Sequence, residues 1–292
     1  MTIIRSFLFV PANRPTWIEK IPGYGADAVI LDLEDSVTET DKGAARDVAN
    51  RSIAGLAASG QRVYVRINRS AHMFNFEDIV AVVQPGLEGL ILPKPESAED
   101  VGIAAALVSE AESRRDIKAG QTALVPVLET ARSVVEAYNI AQHPRVTAVV
   151  GASAKNGDVS RSLGFQWTEK GLETLYMRSS VVAAARAAGK APIGGLWQEV
   201  HDLEGLARWA KFNRQLGFSG ELVLHPSNVT VVNDAYTPSA DEVAYYIAMI
   251  DAFDVARAAG RGAVTFQGEH IDNAHVTTAR SIVALAQSVR SQ

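Results

Sequence analysis

Eight short apolar runs, each closing on polar residues or a turn, recur along this chain, most of them with helix-patterned stretches between. They read Ser6–Pro11, Ala28–Asp32, Val63–Asn68, Gly89–Lys94, Ala123–Glu129, Val146–Gly151, Ala191–Trp197 and Glu221–His225. Seven are near-continuous in Val, Ile, Leu or Phe, the signature of strands buried on both faces. The remaining run, Ala191–Trp197, is diluted by Gly194 and Gly195. Between the runs, Ala44–Leu56, Ala98–Arg114, Ala131–Gln142, Leu172–Ala188 and Leu203–Leu216 carry helical spacing rich in Ala, Leu, Arg and Glu. Parallel neighbours require a crossover, usually a helix, so the pattern predicts an α/β chain folded as a (β/α)8 TIM barrel. A doubly wound open sheet is the alternative, but it usually has fewer strands, and no Gly-rich dinucleotide turn follows the first run. Gly23-Tyr24-Gly25 precedes a strand instead of following one.

After Pro238 the rhythm changes. Ala240–Ala259 predicts one long helix, Val264–Gln267 and Glu269–Ile271 flank Gly268 as a short hairpin, and a last helix runs from about Ala274 to Ser288. The expected organisation is a barrel over residues 1–238 and a C-terminal extension over 239–292 that a barrel does not need.

Composition narrows the functional classes. The chain of 292 residues has no cysteine, which removes disulfides, thiolate nucleophiles and cysteine-held metals together. Its net charge of −5 argues against nucleic acid as a partner. No apolar run approaches the roughly 20 residues of a membrane span, and the opening residues lack a secretory pattern. A cytoplasmic protein acting on a small molecule is expected.

A barrel keeps its chemistry at the C-terminal ends of its strands. There the runs deliver Asp32, Glu34, Asp35, Arg66, Asn68, Lys94, Glu129 and His225, and the loop after the sixth run holds Asp158. Carboxylates converging with an arginine outline a magnesium site: magnesium takes hard oxygen ligands, often one or two carboxylates plus waters. Glu129 and Asp158 are the candidate ligands, and Arg66 could grip a substrate carboxylate with two parallel hydrogen bonds. Plainer roles stay open. Glu129 and Asp158 could be helix N-caps. Asp32, Glu34 and Asp35 could cap the next helix or pair with Lys42 and Arg46. Lys94 could be a solvated loop residue, and His225 a histidine satisfied at a turn. No histidine pair has zinc-ligand spacing, and hydrolase-elbow and phosphate-loop patterns are absent.

A series of segments then carries a resemblance. RSFLFVPAN (Arg5–Asn13), ADAVILDLEDSV (Ala26–Val37), VRIN (Val65–Asn68), LPKPES (Leu92–Ser97) and PVLETARS (Pro126–Ser133) are followed by DLEGL (Asp202–Leu206), GFSGELVLHPSNV (Gly217–Val229) and GAVTFQGEHIDNAHVTTA (Gly262–Ala279). Singly weak, together and in order they are specific. The chain resembles the citrate lyase β-subunit / malyl-CoA lyase family of HpcH/HpaI aldolases.

The resemblance implies a TIM barrel with a C-terminal helical lid, swapped onto a neighbour in a homo-oligomer, a trimer or dimer of trimers. It implies Mg2+ and a CoA thioester substrate. Glu129 and Asp158 would be the metal ligands, the latter six residues before Gly164. Arg66 would hold the substrate carboxylate, Phe9 and Lys20 would meet the CoA portion, and Leu224 and His225 would line the pocket. Asp272 would be the lid's acid/base. Two departures stand out: the loop Gly151–Asp158 is extended, and Thr16 stands where a CoA-contacting lysine is expected. The implied reaction is retro-aldol cleavage of a malyl-, β-methylmalyl- or citramalyl-CoA-type thioester to acetyl- or propionyl-CoA plus glyoxylate or pyruvate. Citryl thioester cleavage, malyl thioester hydrolysis and a non-catalytic CoA-ester-binding scaffold are the alternatives.

Overall fold

A computed structural model describes residues 3–290. Eight parallel strands close on themselves in sequence order: β1 Ser6–Pro11, β2 Ala28–Asp32, β3 Arg62–Arg66, β4 Leu87–Pro93, β5 Ala123–Leu128, β6 Ala148–Gly151, β7 Ala191–Gly194 and β8 Gly220–Val223. The seam is β1 on β8, with Phe7 opposite Leu222. The weak seventh run is a real strand, paired to β6 from Ala148↔Ala191 through Gly151↔Gly194. Phe7, Ala28, Ile30, Tyr64, Ile91, Val125, Val150, Ile193 and Leu222 form one buried cluster. Phe7 and Tyr64 meet edge to face, 5.2 Å between centroids. Gly89 makes room for them: a Cβ there would lie 2.9 Å from the Tyr64 ring and 2.8 Å from the Ala123 carbonyl oxygen.

The helices that follow in chain order are α1 Pro15–Ile18, α2 Lys42–Ala58, α3 Phe76–Val82, α4 Ala98–Ser113, α5 Ala131–Val135 and α6 Ala137–Ala141. They continue with α7 Asp158–Leu163, α8 Leu172–Ala187, α9 Leu203–Leu216, α10 Pro226–Tyr236, α11 Ala240–Ala258 and α12 Asn273–Arg290. Two departures from expectation have local causes. The segment Ala131–Gln142 is two short helices, because Glu136 (φ −85°, ψ 8°) interrupts the turn pattern between them. The short α3 and α7 escape a periodicity reading because six or seven residues span about two turns at most.

The chain divides into two compact units, residues 4–233 and residues 234–290 together with Ile3. The division falls within α10, slightly before the boundary expected at Pro238. In the second unit α11 and α12 pack together with the antiparallel hairpin β9 Ala263–Phe266 and β10 Glu269–Asp272. Met249, Phe253, Ile271, Val276 and Ala279 form its own core. Among the described residues no helix is long and apolar enough to cross a membrane.

Candidate active site

The ends of β2, β3, β4 and β5 and the start of α7 carry one continuous charged network. β2 and β3 run parallel with Asp32 opposite Arg66, and the arginine fork closes on that carboxylate: Nε donates to Oδ1 at 2.6 Å and Nη2 to Oδ2 at 2.7 Å. Its third nitrogen, Nη1, lies 2.8 Å from Glu34 Oε2. The guanidinium also stacks over Phe9, 4.7 Å from the ring centroid. Asp32, 1% exposed, further accepts from Glu34 N and from Ser36 N and Oγ. Burial opposes its charge, but Arg66 and Ser36 outweigh it and hold the carboxyl below its ordinary value. Arg66 is pushed upward by Asp32, Glu34 and Glu129, against its burial.

Lys94 follows β4 with a left-handed backbone, φ +52°. Its ammonium donates to Glu34 Oε1 at 2.8 Å and lies 3.1 Å from Asp158 Oδ2 and 3.8 Å from Asp35 Oδ2. Asp158 is also held by Arg161 one turn along α7. The extended loop therefore still delivers Asp158 to this cluster, and α7 ends on Gly164 in the left-handed conformation its C-terminus requires.

Glu129 closes the ring differently. Its Oε1 is sealed from solvent and has no hydrogen-bond partner. Burial and the Glu34 carboxylate push its carboxyl up to about 7, against the pull of Lys94 and Arg66. A buried, unsatisfied carboxylate oxygen is costly, and such groups concentrate where a ligand completes them. No group of three or more His, Asp or Glu side chains is arranged around a metal position among the described residues. A cation here would rest on Glu129 and Asp158, with water or ligand oxygens completing its shell, as magnesium allows. The donor set fits.

The plainer roles meet mixed outcomes. Neither Glu129 nor Asp158 is a cap: Thr130 caps α5 through a reciprocal pair with Ser133, and Gly157 stands at the N-cap of α7. Lys42 turns to the backbone carbonyls of Leu33 and Glu34. Arg46 pairs with Asp78 and Glu77, leaving Asp32, Glu34 and Asp35 to the network above. Lys94 is a paired residue of the cluster, not a solvated one. The Arg66 fork differs from the expectation that it faces a substrate, since Asp32 fills its side-on edge. Only the remaining Nη protons are left for a ligand.

His225 does sit at a turn, exposed, its Nδ1 2.7 Å from Ser227 Oγ, with the His201 ring 5.7 Å away. Leu224, 37% exposed, precedes it directly after β8. Lys20 is exposed beyond α1. No hydrogen bond or ion pair joins these three to the carboxylate cluster among the described residues. Trp167 and Trp197 pack with Trp209 in an aromatic group, centroids 5.7–6.1 Å apart. In the second unit, Asp272 caps α12. Its Oδ1 accepts from Ala274 N at 3.0 Å and lies 2.7 Å from His275 Nδ1, which holds the carboxyl below its ordinary value.

The chain is similar to known proteins over nearly its whole length. Over 287 residues, 97% of each chain, the protein is 35% identical to a citrate lyase subunit beta-like protein of Deinococcus radiodurans. It is 29% identical to a (3S)-malyl-CoA thioesterase of Cereibacter sphaeroides, across 98% of this chain and 95% of that one. Its structure is similar to that of the protein CitE from Mycobacterium tuberculosis, solved in complex with magnesium, acetoacetate and coenzyme A. The TM-score is 0.76 at 27% identity, covering 98% of both chains. Residues 5–226 match one family throughout, and the chain belongs to it: HpcH/HpaI aldolase/citrate lyase.

Proposed function

We propose that this protein is a magnesium-dependent carbon–carbon lyase that cleaves a malyl-, β-methylmalyl- or citramalyl-CoA-type thioester into acetyl- or propionyl-CoA and glyoxylate or pyruvate. The observation that carries the reading is the sealed, unpartnered Glu129 Oε1 beside Asp158, Arg66 and Lys94 at the mouth of a barrel. The crystallised relative holding magnesium and coenzyme A supports it.

In this reading Glu129 and Asp158 hold the cation. When bound, magnesium polarises a substrate oxygen and stabilises charge that develops on it. Arg66, fixed in place by Asp32, Glu34 and Phe9, offers its remaining Nη protons to the carboxylate of the oxo-acid half. A guanidinium anchored on three sides loses little freedom on binding, so orientation is set before the substrate arrives. Phe9, Lys20, Leu224 and His225 contact the CoA ester. A basic group takes the hydroxyl proton, and the carbon–carbon electron pair moves to the thioester, leaving an enolate. A proton must then reach the acyl carbon, and Asp272, supplied by the lid of a neighbouring subunit in a homo-oligomer, handles it. Every bond described for the Asp272 carboxylate goes to Oδ1, so Oδ2 is the oxygen left for that work.

A second reading, hydrolysis of the same thioesters, is favoured by the Cereibacter relative named a (3S)-malyl-CoA thioesterase. A panel of malyl-, β-methylmalyl- and citramalyl-CoA with magnesium separates the two. Release of glyoxylate or pyruvate with the acyl-CoA intact supports the lyase. Free thiol with the intact hydroxy acid supports hydrolysis. Neither product from any of them overturns both.

A further inference from the structure

Lys94 takes no step in the proposed cleavage, yet its surroundings are unusual in two ways. Its backbone is left-handed at φ +52°, a conformation that residues with a Cβ rarely take, and lysine has no local side-chain bond that would favour it. Such a conformation persists only where the surroundings impose it. They do: Arg69, itself paired to Asp100, donates from Nη1 to the Lys94 carbonyl oxygen at 2.8 Å, and Pro95 follows directly. The result aims the ammonium inward, between Glu34 at 2.8 Å and Asp158 at 3.1 Å, with Asp35 at 3.8 Å. Three carboxylates thus share one point charge, and one of them is a proposed metal ligand.

We propose that Lys94 is a built-in counter-cation of the carboxylate mouth: it neutralises Glu34 and Asp158 while the site is without metal, and by competing for Asp158 it weakens the hold on a divalent cation. The inference rests on Glu129 and Asp158 as the metal site. Lysine suits the task because its ammonium is a compact charge on a flexible stem, able to withdraw from Asp158 without leaving Glu34. Glu34 would keep its contact with Arg66 Nη1 at 2.8 Å in any case. Arg161, on the other side of Asp158, is exposed, so solvent screens its effect on the carboxylate more strongly than that of half-buried Lys94. Burial works against the Lys94 charge, but Glu34, Glu129 and Asp158 more than offset it. Lys94 acts here through the metal ligands and is a positioning residue, not a catalytic one.

Isothermal titration with MgCl2 alone tests this on three proteins: the parent, Lys94→Met and Lys94→Asn. Methionine keeps the stem and removes the charge. Asparagine, which tolerates positive φ, guards against a folding failure at this backbone. Both substitutions are expected to tighten magnesium binding at least tenfold, whereas a merely structural lysine would, on removal, loosen the site and weaken it. Unchanged or weaker binding by the folded variants overturns the role of Lys94. Absence of magnesium binding by the parent, or its full retention in Glu129→Ala, overturns instead the metal site on which the role rests.

Discussion

Glu129 concentrates the conflict between stability and function in this protein. A carboxylate whose Oε1 is sealed and unpartnered destabilises the metal-free fold, because desolvation is not repaid by a hydrogen bond. Glu129→Gln removes the charge at nearly constant shape. In magnesium-free buffer the variant is therefore expected to melt no lower than the parent. Adding MgCl2 should raise the melting temperature of the parent, since a ligand that binds only the folded state stabilises it, and leave the variant unmoved. A parent that gains nothing from magnesium, or a variant that gains as much, removes Glu129 from the metal site. The residue type and strand-end position of Glu129 were visible in the sequence. Its unpartnered oxygen was not, because the donors nearby that could satisfy it, Arg66 and Lys94, come from two other strand ends.

Among the elements, α4 is tied to the strands by a second ion pair at a distance from the chemistry. Glu112, fully buried near the end of α4, accepts from Gly120 N and Thr122 N at 3.0 and 2.8 Å and pairs with Arg145 at 2.6 Å. Burial opposes its charge, but Arg145 and the two backbone donors lower the carboxyl to about 2. A carboxyl depressed in the folded state contributes stability above its unfolded value, about 4.3, and loses it as pH falls from there through about 2. Glu112→Gln should cost on the order of 3–5 kcal/mol at pH 7, because Arg145 keeps a buried charge with no counter-ion. Urea unfolding at pH 7, 5, 4 and 3 should show parent and variant converging only below about pH 4. A constant gap across that range would mean that the pair contributes no titratable stability. None of this was legible beforehand: Glu112 lies in a polar stretch of an amphipathic pattern, and its partner is 33 residues away. The caps were more legible, as Ser97, Thr130, Asp202 and Ser239 each accept from the backbone three residues on, the local geometry that short polar side chains favour.

For the molecule as a whole, the proposal that Asp272 acts from a neighbouring subunit makes a prediction that a self-contained chain would fail. Asp272→Asn and Glu129→Ala proteins, each inactive alone, are mixed under conditions in which oligomers reassort. If the second unit of one chain serves the barrel of another, some sites regain both intact residues, and activity partly returns. If verified mixed oligomers stay inactive, Asp272 acts within its own chain or not at all, and its cap on α12 is then its whole role.

Strand order, strand number and the polar residues at the strand ends were determined by the sequence alone. Buried parallel strands must be continuously apolar, and each must hand over to a crossover before the next can begin. The change of rhythm near Pro238 was equally local, although the compact units divide a little earlier, within α10. What only the tertiary structure decided is how the charges at the mouth are shared. Asp32 took the Arg66 fork that a substrate was expected to fill, Lys94 turned inward between Glu34 and Asp158, and Glu129 was left without a partner. Pairings of this kind depend on distances between residues 34 to 64 positions apart in the chain. Hydropathy and spacing carry no information about them, because electrostatic choice among several nearby partners is made only once the barrel has brought those partners within a few ångströms.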